Sequence, residues 1–424
     1  MVTEWCDVVD LRLEAAVSPG RPLRWGPLPP DEVNDSRLNY GRVWGPWDVP
    51  PGLPDGDSLF IDISEALVEL QWTGGTSSSD TVFPRWEAAQ CRAVFKDPRL
   101  LLDPTNPGSP FRARLAPNTP VRIRAGIRPA PDEPATELVT VFAGYVDSWS
   151  PQWAAQPRER YTEMTATDGT RILANFNTDA LAAPVGAGET AAQRITRILD
   201  HALWPDEDRD ITPGGIALQS TDHAQPAWTE LLLTADSDMG FVWIEPGGNV
   251  KYLPGEVVRA RLEDPTPDFV FGCGGFDVLL SATPAFNTDG LRNVVAASNG
   301  TSSVVVADEP SVFRYRASTY QRFDLKIQSG TELNLWAQRV VWLGSNPRRT
   351  ISQILIDPMR DPDCLAALLL PDQLDIWRIV WDPPGDETAH VVTVDVTPGG
   401  WVHTVTPDAW STVVTTGLVP RLES

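Results

Sequence analysis

The chain has 424 residues, 42% of them hydrophobic and 21% charged, which is ordinary globular usage and argues against a disordered chain. It is too long for one core, because single cores stop growing near about 250 residues, so several modules are expected. With 34 basic against 57 acidic residues the net charge is −23, which opposes the phosphate neutralisation by which proteins hold nucleic acid and argues against tight binding to it.

In chain order, the N-terminus carries Glu4, Asp7, Asp10 and Glu14 and has neither a basic region nor a continuous apolar one. The longest apolar run, Cys364 to Leu370, is far short of a bilayer. Synthesis in the cytosol as a soluble chain without membrane insertion is the expectation. Residues 18–57 are rich in Pro and Gly, have no period of 2 or 3.6, and carry Trp25, Tyr40, Trp44 and Trp47. Such Pro density forbids regular structure. Linkers seldom hold so many large aromatics, so residues 1–58 read as an arm ordered against a partner, with Tyr40, Trp44 and Trp47 as the candidate interaction residues.

From residue 59 short alternating segments begin. Val68, Leu70 and Trp72 share one face; so do Cys91, Ala93 and Phe95; Val121, Ile123 and Ala125 oppose Arg122 and Arg124. Residues 139–149 and 161–168 continue the theme, so 59–182 is expected to be a module of half-buried antiparallel strands, a small barrel or sandwich.

Residues 183–265 read as an α+β module. Thr190 to Gln193 is a capping box, followed by Ile195, Ile198, Leu199, Ala202 and Leu203 on one helical face until Pro205. A second helix is expected from Trp228 to Met239, with Leu231, Leu232 and Ala235 inward and Gly240 as its stop. A hairpin turning at Pro246–Asn249 should follow.

Residues 266–424 return to strands: 293–298, 302–307, 377–381, 390–397, 400–406 and 411–416, with Pro398-Gly399-Gly400 as a hairpin turn and a short helix possible in the apolar stretch from Cys364. The fold class is thus mainly β with an α+β insertion, two antiparallel barrel or sandwich modules flanking a helix-hairpin module.

Chemistry is hard to find. The histidines (His201, His223, His390, His403) are dispersed, and the cysteines (Cys6, Cys91, Cys273, Cys364) are far apart without a C-x-x-C pair. No catalytic residue, metal site or cofactor is assigned. His201 reads as a helix C-terminal residue. Asp236-Ser-Asp238 lacks the further oxygens of a calcium loop, and Gly272-Cys273-Gly274-Gly275 lacks a Walker lysine or G-x-S-x-G and reads as a turn. Seventeen Trp residues keep glycan binding open as an alternative to core and interface packing.

The order of several short motifs resembles the tail-tip hub and minor tail proteins of siphophages, especially those of actinobacterial hosts. They are Trp72-Thr73-Gly74-Gly75; Asp97 with Asp103 to Pro110; Pro120 to Arg124; Val141 to Trp149; Ala166-Thr167-Asp168 to Leu173; Arg194 to Asp200; Leu231 through Ser237 and Gly240 to Trp243; and Gly400, His403, Pro407, Trp410 and Thr412. The resemblance spans roughly 59–420, and the Pro-rich arm departs from it. It implies a non-enzymatic virion subunit, assembled in the host cytoplasm, that joins the tail tube to tape-measure and fibre or receptor-binding proteins and gates DNA passage. It further implies two tube-like modules per chain, near 59–182 and 285–424, so that a trimer presents six tube-like units. A hexameric distal tail ring and a cell-wall glycan-binding adhesin are the alternatives.

Overall fold

The computed structural model describes residues 9–16, 60–76, 86–109, 111, 115, 117–127, 137–177, 184–222, 224–263, 265–286, 290–347, 349–381 and 391–418. Seven strands come first: β1 (Val9–Ala16), β2 (Phe60–Asp62), β3 (Leu67–Gly75), β4 (Gln90–Lys96), β5 (Pro120–Ile127), β6 (Val139–Gln152) and β7 (Tyr161–Thr167). They lie in the order β2-β1-β5-β6-β7-β4-β3, antiparallel throughout. One face is apolar: Cys91, Ala93, Phe95, Val121, Ile123, Ala125, Met164 and Ala166 are all buried in one cluster. The other face pairs charges, Arg92 with Glu69 (2.8 Å) and Glu163 (2.9 Å), and Arg122 with Glu14 (2.6 Å). In β3 a bulge between Leu67 and Glu69 breaks the period of 2, so that Leu67 is buried with Leu70 and Trp72 while Val68 is only half-buried.

β1 falls within the stretch read from sequence as an arm, yet it pairs with β5 from Val9 to Ala15. The sheet therefore starts before the Pro-rich stretch. Tyr40, Trp44 and Trp47 lie outside the described residues. Ala16 and Phe60 are opposite each other in the β1–β2 ladder, about 5 Å apart, so the chain leaves and re-enters the sheet at one place.

Next come α1 (Thr170–Asn175), α2 (Ala191–His201), β8 (Arg209–Ile211), α3 (Ala227–Asp238), β9 (Phe241–Ile244), β10 (Val250–Leu253) and α4 (Gly255–Glu263). The capping box is present: Gln193 N donates to Thr190 Oγ1 (3.3 Å) and Thr190 N to Gln193 Oε1 (2.9 Å). Ile195, Ile198 and Leu199 pack against Leu231, Ala235, Trp243 and Tyr252. The helical spacing fails at Leu203. This residue turns left-handed (φ 55°), Trp204 N returns to Leu199 O (2.9 Å), and Trp204 is buried while Leu203 faces solvent. α3 likewise turns left-handed on Met239 (φ 57°) and not on Gly240. Gly240 serves close approach, since a Cβ there would lie 2.5 Å from Leu253 O.

The last part holds β11 (Phe269–Gly272), β12 (Leu279–Phe286), β13 (Val294–Ser298), β14 (Ser303–Ala307), α5 (Glu309–Tyr315), β15 (Thr319–Arg322), α6 (Gly330–Gly344), β16 (Arg349–Ile356), α7 (Leu365–Leu369), β17 (Trp377–Trp381), β18 (Val392–Thr406) and β19 (Ala409–Leu418). Strands β12-β16-β19-β18 extend the first sheet through β3, and β17 pairs β18 and, in parallel, β11. β14-β13-β15 form a separate small sheet covered by α6, whose Leu333, Trp336 and Val340 meet Val295 and Ala297. The strand-dominated expectation missed α5 and α6, while the short helix expected in the apolar stretch from Cys364 is α7.

Pro398-Gly399-Gly400 is not a hairpin. β18 runs through it with a bulge, and the reversal comes at Pro407-Asp408. The chain is mainly β with an α+β insertion, as expected, but the strands form no closed barrel among the described residues. β3, where closure would occur, pairs with β18 instead.

Candidate functional site: the sheet seam and the surfaces around it

The first and last motifs of the sequence meet at the β3–β18 seam. Gly75 lies opposite Gly400, Gly74 opposite Trp401 and Trp72 opposite His403. A Cβ on Gly75 (φ 81°) would fall 2.3 Å from Gly399 O, and one on Gly74 2.6 Å from the Trp401 ring, so the glycines let two backbones and an indole close together. Trp72 stacks on the His403 ring at 4.5 Å and meets Trp410 edge-on at 5.8 Å. His403 Nδ1 accepts from Trp410 Nε1 (3.3 Å) and lies 2.8 Å from Thr412 Oγ1. Because the indole only donates, Nδ1 must be unprotonated. Burial drives the His403 pKa down to about 3. An imidazole kept neutral down to about pH 3 and wedged between two indoles is a packing element.

The other motif residues brace loops. The Asp97 carboxylate accepts from Leu101 N (2.7 Å), Leu102 N (2.8 Å) and Thr162 Oγ1 (3.0 Å), and Asn106 Nδ2 donates to Leu100 O (2.7 Å). Asp147 accepts from Thr167 Oγ1 (2.6 Å) and pairs with Arg171. Buried Arg194 holds Glu189 (2.9 Å) and Gly186 O (2.8 Å) ahead of its own helix. Asp236 pairs with Arg322 (2.8 Å), and Asp238 accepts from Tyr252 Oη, Gly255 N and Ile216 N, each at 2.7 Å. Gly272–Gly275 is a tight turn, with Gly275 N donating to Gly272 O (3.0 Å). Among the described residues no three His, Cys, Asp or Glu side chains are grouped to hold a metal.

Beside the seam is a cleft lined by Trp86, Trp243, Trp401, Asp168, Glu245 and Gln373, with room of about 20 Å³. Asp168 caps Ala89 N and Thr170 N (3.0 Å each), and burial pushes its pKa up to about 6. Lys251, over the Trp243 ring, bridges Glu245 (2.9 Å) and Asp372 (3.2 Å), tying the β9–β10 hairpin to the C-terminal strands.

The surface offers what the interior does not. Trp153, just past the end of β6, is 72% exposed. Sequence reasoning passed over it, although a Trp followed by Ala-Ala-Gln-Pro, beyond a strand's last alternating residue, is a visible signal of a hairpin tip.

The architecture is that of an open, mainly antiparallel sheet shared by the two ends of the chain, with two α+β units inserted along it. Solved structures with this fold include a tail protein from Neisseria meningitidis MC58 (13% identity, 83% of this chain and 92% of that one, TM-score 0.52). They also include the 43 kDa tail protein of prophage MuSo2 from Shewanella oneidensis (11% identity, 85% and 95%, TM-score 0.52). No protein-family model and no curated protein sequence matches the chain. The motif resemblance to phage tail proteins is therefore matched at the level of fold.

Proposed function

We propose that the protein is a structural subunit of a bacteriophage tail tip, a hub that joins the tail tube to tape-measure and host-recognition proteins and gates DNA passage without catalysing a reaction. The observation that carries this reading is the fold shared with two tail proteins along more than four-fifths of the chain. The division of the chain belongs to it, with the arm confined to residues 17–58 because β1 lies in the first sheet: a first tube-like module (59–182, with β1), an α+β module (183–265) and a second tube-like module (266–424). Two such modules per chain favour three copies against a six-fold tube, through an interface above about 2,000 Å². The long open sheet supports assembly, since edge strands are stabilised by pairing with neighbours. Tyr40, Trp44 and Trp47 are proposed to anchor the arm on an adjoining chain, and the acidic excess to line the lumen, where carboxylates repel phosphate.

The test is a reconstruction of the native particle with this chain labelled. Three copies at the distal end of the tube support the hub. Six copies transfer the chain to the distal ring, and its absence from the tail removes the reading.

A further inference from the structure

Beyond the last β6–β7 pair, Gln152 with Tyr161, the chain turns through residues 153–160. Arg160 Nε donates to Ala154 O (3.1 Å) and braces this tip. Asp97 N donates to Arg160 O (3.0 Å), which brings the end of β4 alongside. Lys96, Arg99 and Arg158 are exposed there and Arg160 half-buried, against one exposed acid, Glu159. The Asp97 carboxylate is buried and engaged by Leu101 N, Leu102 N and Thr162. In a chain of net charge −23 the tip is a basic collar around an exposed Trp.

A surface of opposite character lies at the end of α2. Residues 200–210 hold Asp200, Asp206, Glu207, Asp208 and Asp210. The side chains of Asp200, Asp206 and Asp210 are 59%, 77% and 56% exposed. Their one arginine, Arg209, is tucked between Asp200 (2.6 Å) and Asp206 (3.1 Å). Leu203, held outward by its left-handed backbone, is an apolar spot among these acids.

The two surfaces cannot meet within one molecule. Asp208 lies near Tyr145, on whose hydroxyl its charge acts. Trp153 is eight positions further along the same strand and its extension, roughly 26 Å away at ~3.3 Å per residue. We propose that the Trp153 tip of one copy docks on the Leu203-centred acidic end of α2 of a second copy, head to tail. This names the self-contact that the hub reading requires and rests on that reading. The contact is heterologous, so its repetition closes a ring where the rotation allows. A Trp anchor flanked by Arg is the composition that dominates binding energy, and the facing charges make association salt-sensitive.

The test places a photo-cross-linking benzoylphenylalanine at position 153 of the full-length chain. Cross-linked dimers whose new bond maps to residues 200–210 are expected, with a yield that falls several-fold from 50 to 500 mM NaCl, since screening shortens the reach of the facing charges. In sedimentation, Arg99→Glu with Arg158→Glu should weaken association at least ten-fold, and adding Asp206→Arg with Asp210→Arg to the same chain should restore it. Cross-links elsewhere on the chain, or to another component such as an anionic polymer, overturn the proposal, as does a monomer at 100 μM. The tail reading fails separately, if the chain is missing from purified tails.

Discussion

Trp72 and Trp153 sit on one sheet and meet opposite fates. At the seam, Trp72 is 1% exposed, enclosed by His403 and Trp410 from strands more than 300 residues away. At the hairpin tip, Trp153 is 72% exposed and, among the described residues, lies beyond the last strand pair, Gln152 with Tyr161. The same residue type holds the molecule together in one place and is left for a partner in the other. The difference comes from whether a neighbouring strand continues past it.

The largest effect expected from breaking the contrast is at the seam. Trp72→Ala removes a fully buried indole and leaves a cavity against His403 and Trp410, so a loss of about 3–5 kcal/mol is expected in denaturant unfolding. A loss below about 1 kcal/mol would mean that the seam is loosely packed.

His403 gives the seam a pH signature. Its folded pKa of about 3 lies below the ordinary value near 6.5, so the unfolded chain takes up the proton first. The contribution of His403 is whole above about pH 6.5 and declines as pH falls toward 3, by up to about 1.4 kcal/mol per pH unit. Asp168 acts in the opposite sense. Raised to about 6, it favours the folded state as pH falls from about 6 to about 4. His403→Gln should flatten the acid limb of the stability profile relative to the parent chain, and an unchanged limb would remove His403 as its cause.

Smaller still is the effect on folding of excising residues 17–59 with a short turn joining Ala16 to Phe60, which already lie side by side. Stability should change by about 1 kcal/mol or less, since loop length enters only logarithmically, while tail assembly in a complementation assay is expected to fail. Assembly that survives the excision would end the role given to Tyr40, Trp44 and Trp47.

The smallest change in stability is expected at the tip. Trp153→Ala should stay within about 0.5 kcal/mol of the parent in thermal unfolding, while self-association in sedimentation weakens. If the variant unfolds like Trp72→Ala, the tip belongs to the core and not to an interface.

What the sequence determined by itself was local. Alternation at Cys91, Ala93 and Phe95 or at Val121, Ile123 and Ala125 set buried strand faces, and the Thr190–Gln193 box set the start of α2, because each depends on residues a few positions apart. Helix α6 was equally legible, with Leu333, Trp336, Ala337, Val340 and Val341 at helical spacing, and was read past in favour of its strand-rich surroundings. The tertiary structure decided the rest. β18 runs through Pro398–Gly400 because β3 packs against it there. Leu203 is outside because Trp204 fills the core position. The sheet stays open because β3 finds its partner near the far end of the chain. Pairing between distant strands is set by which edges meet and which backbones approach most closely, and no local periodicity carries that information.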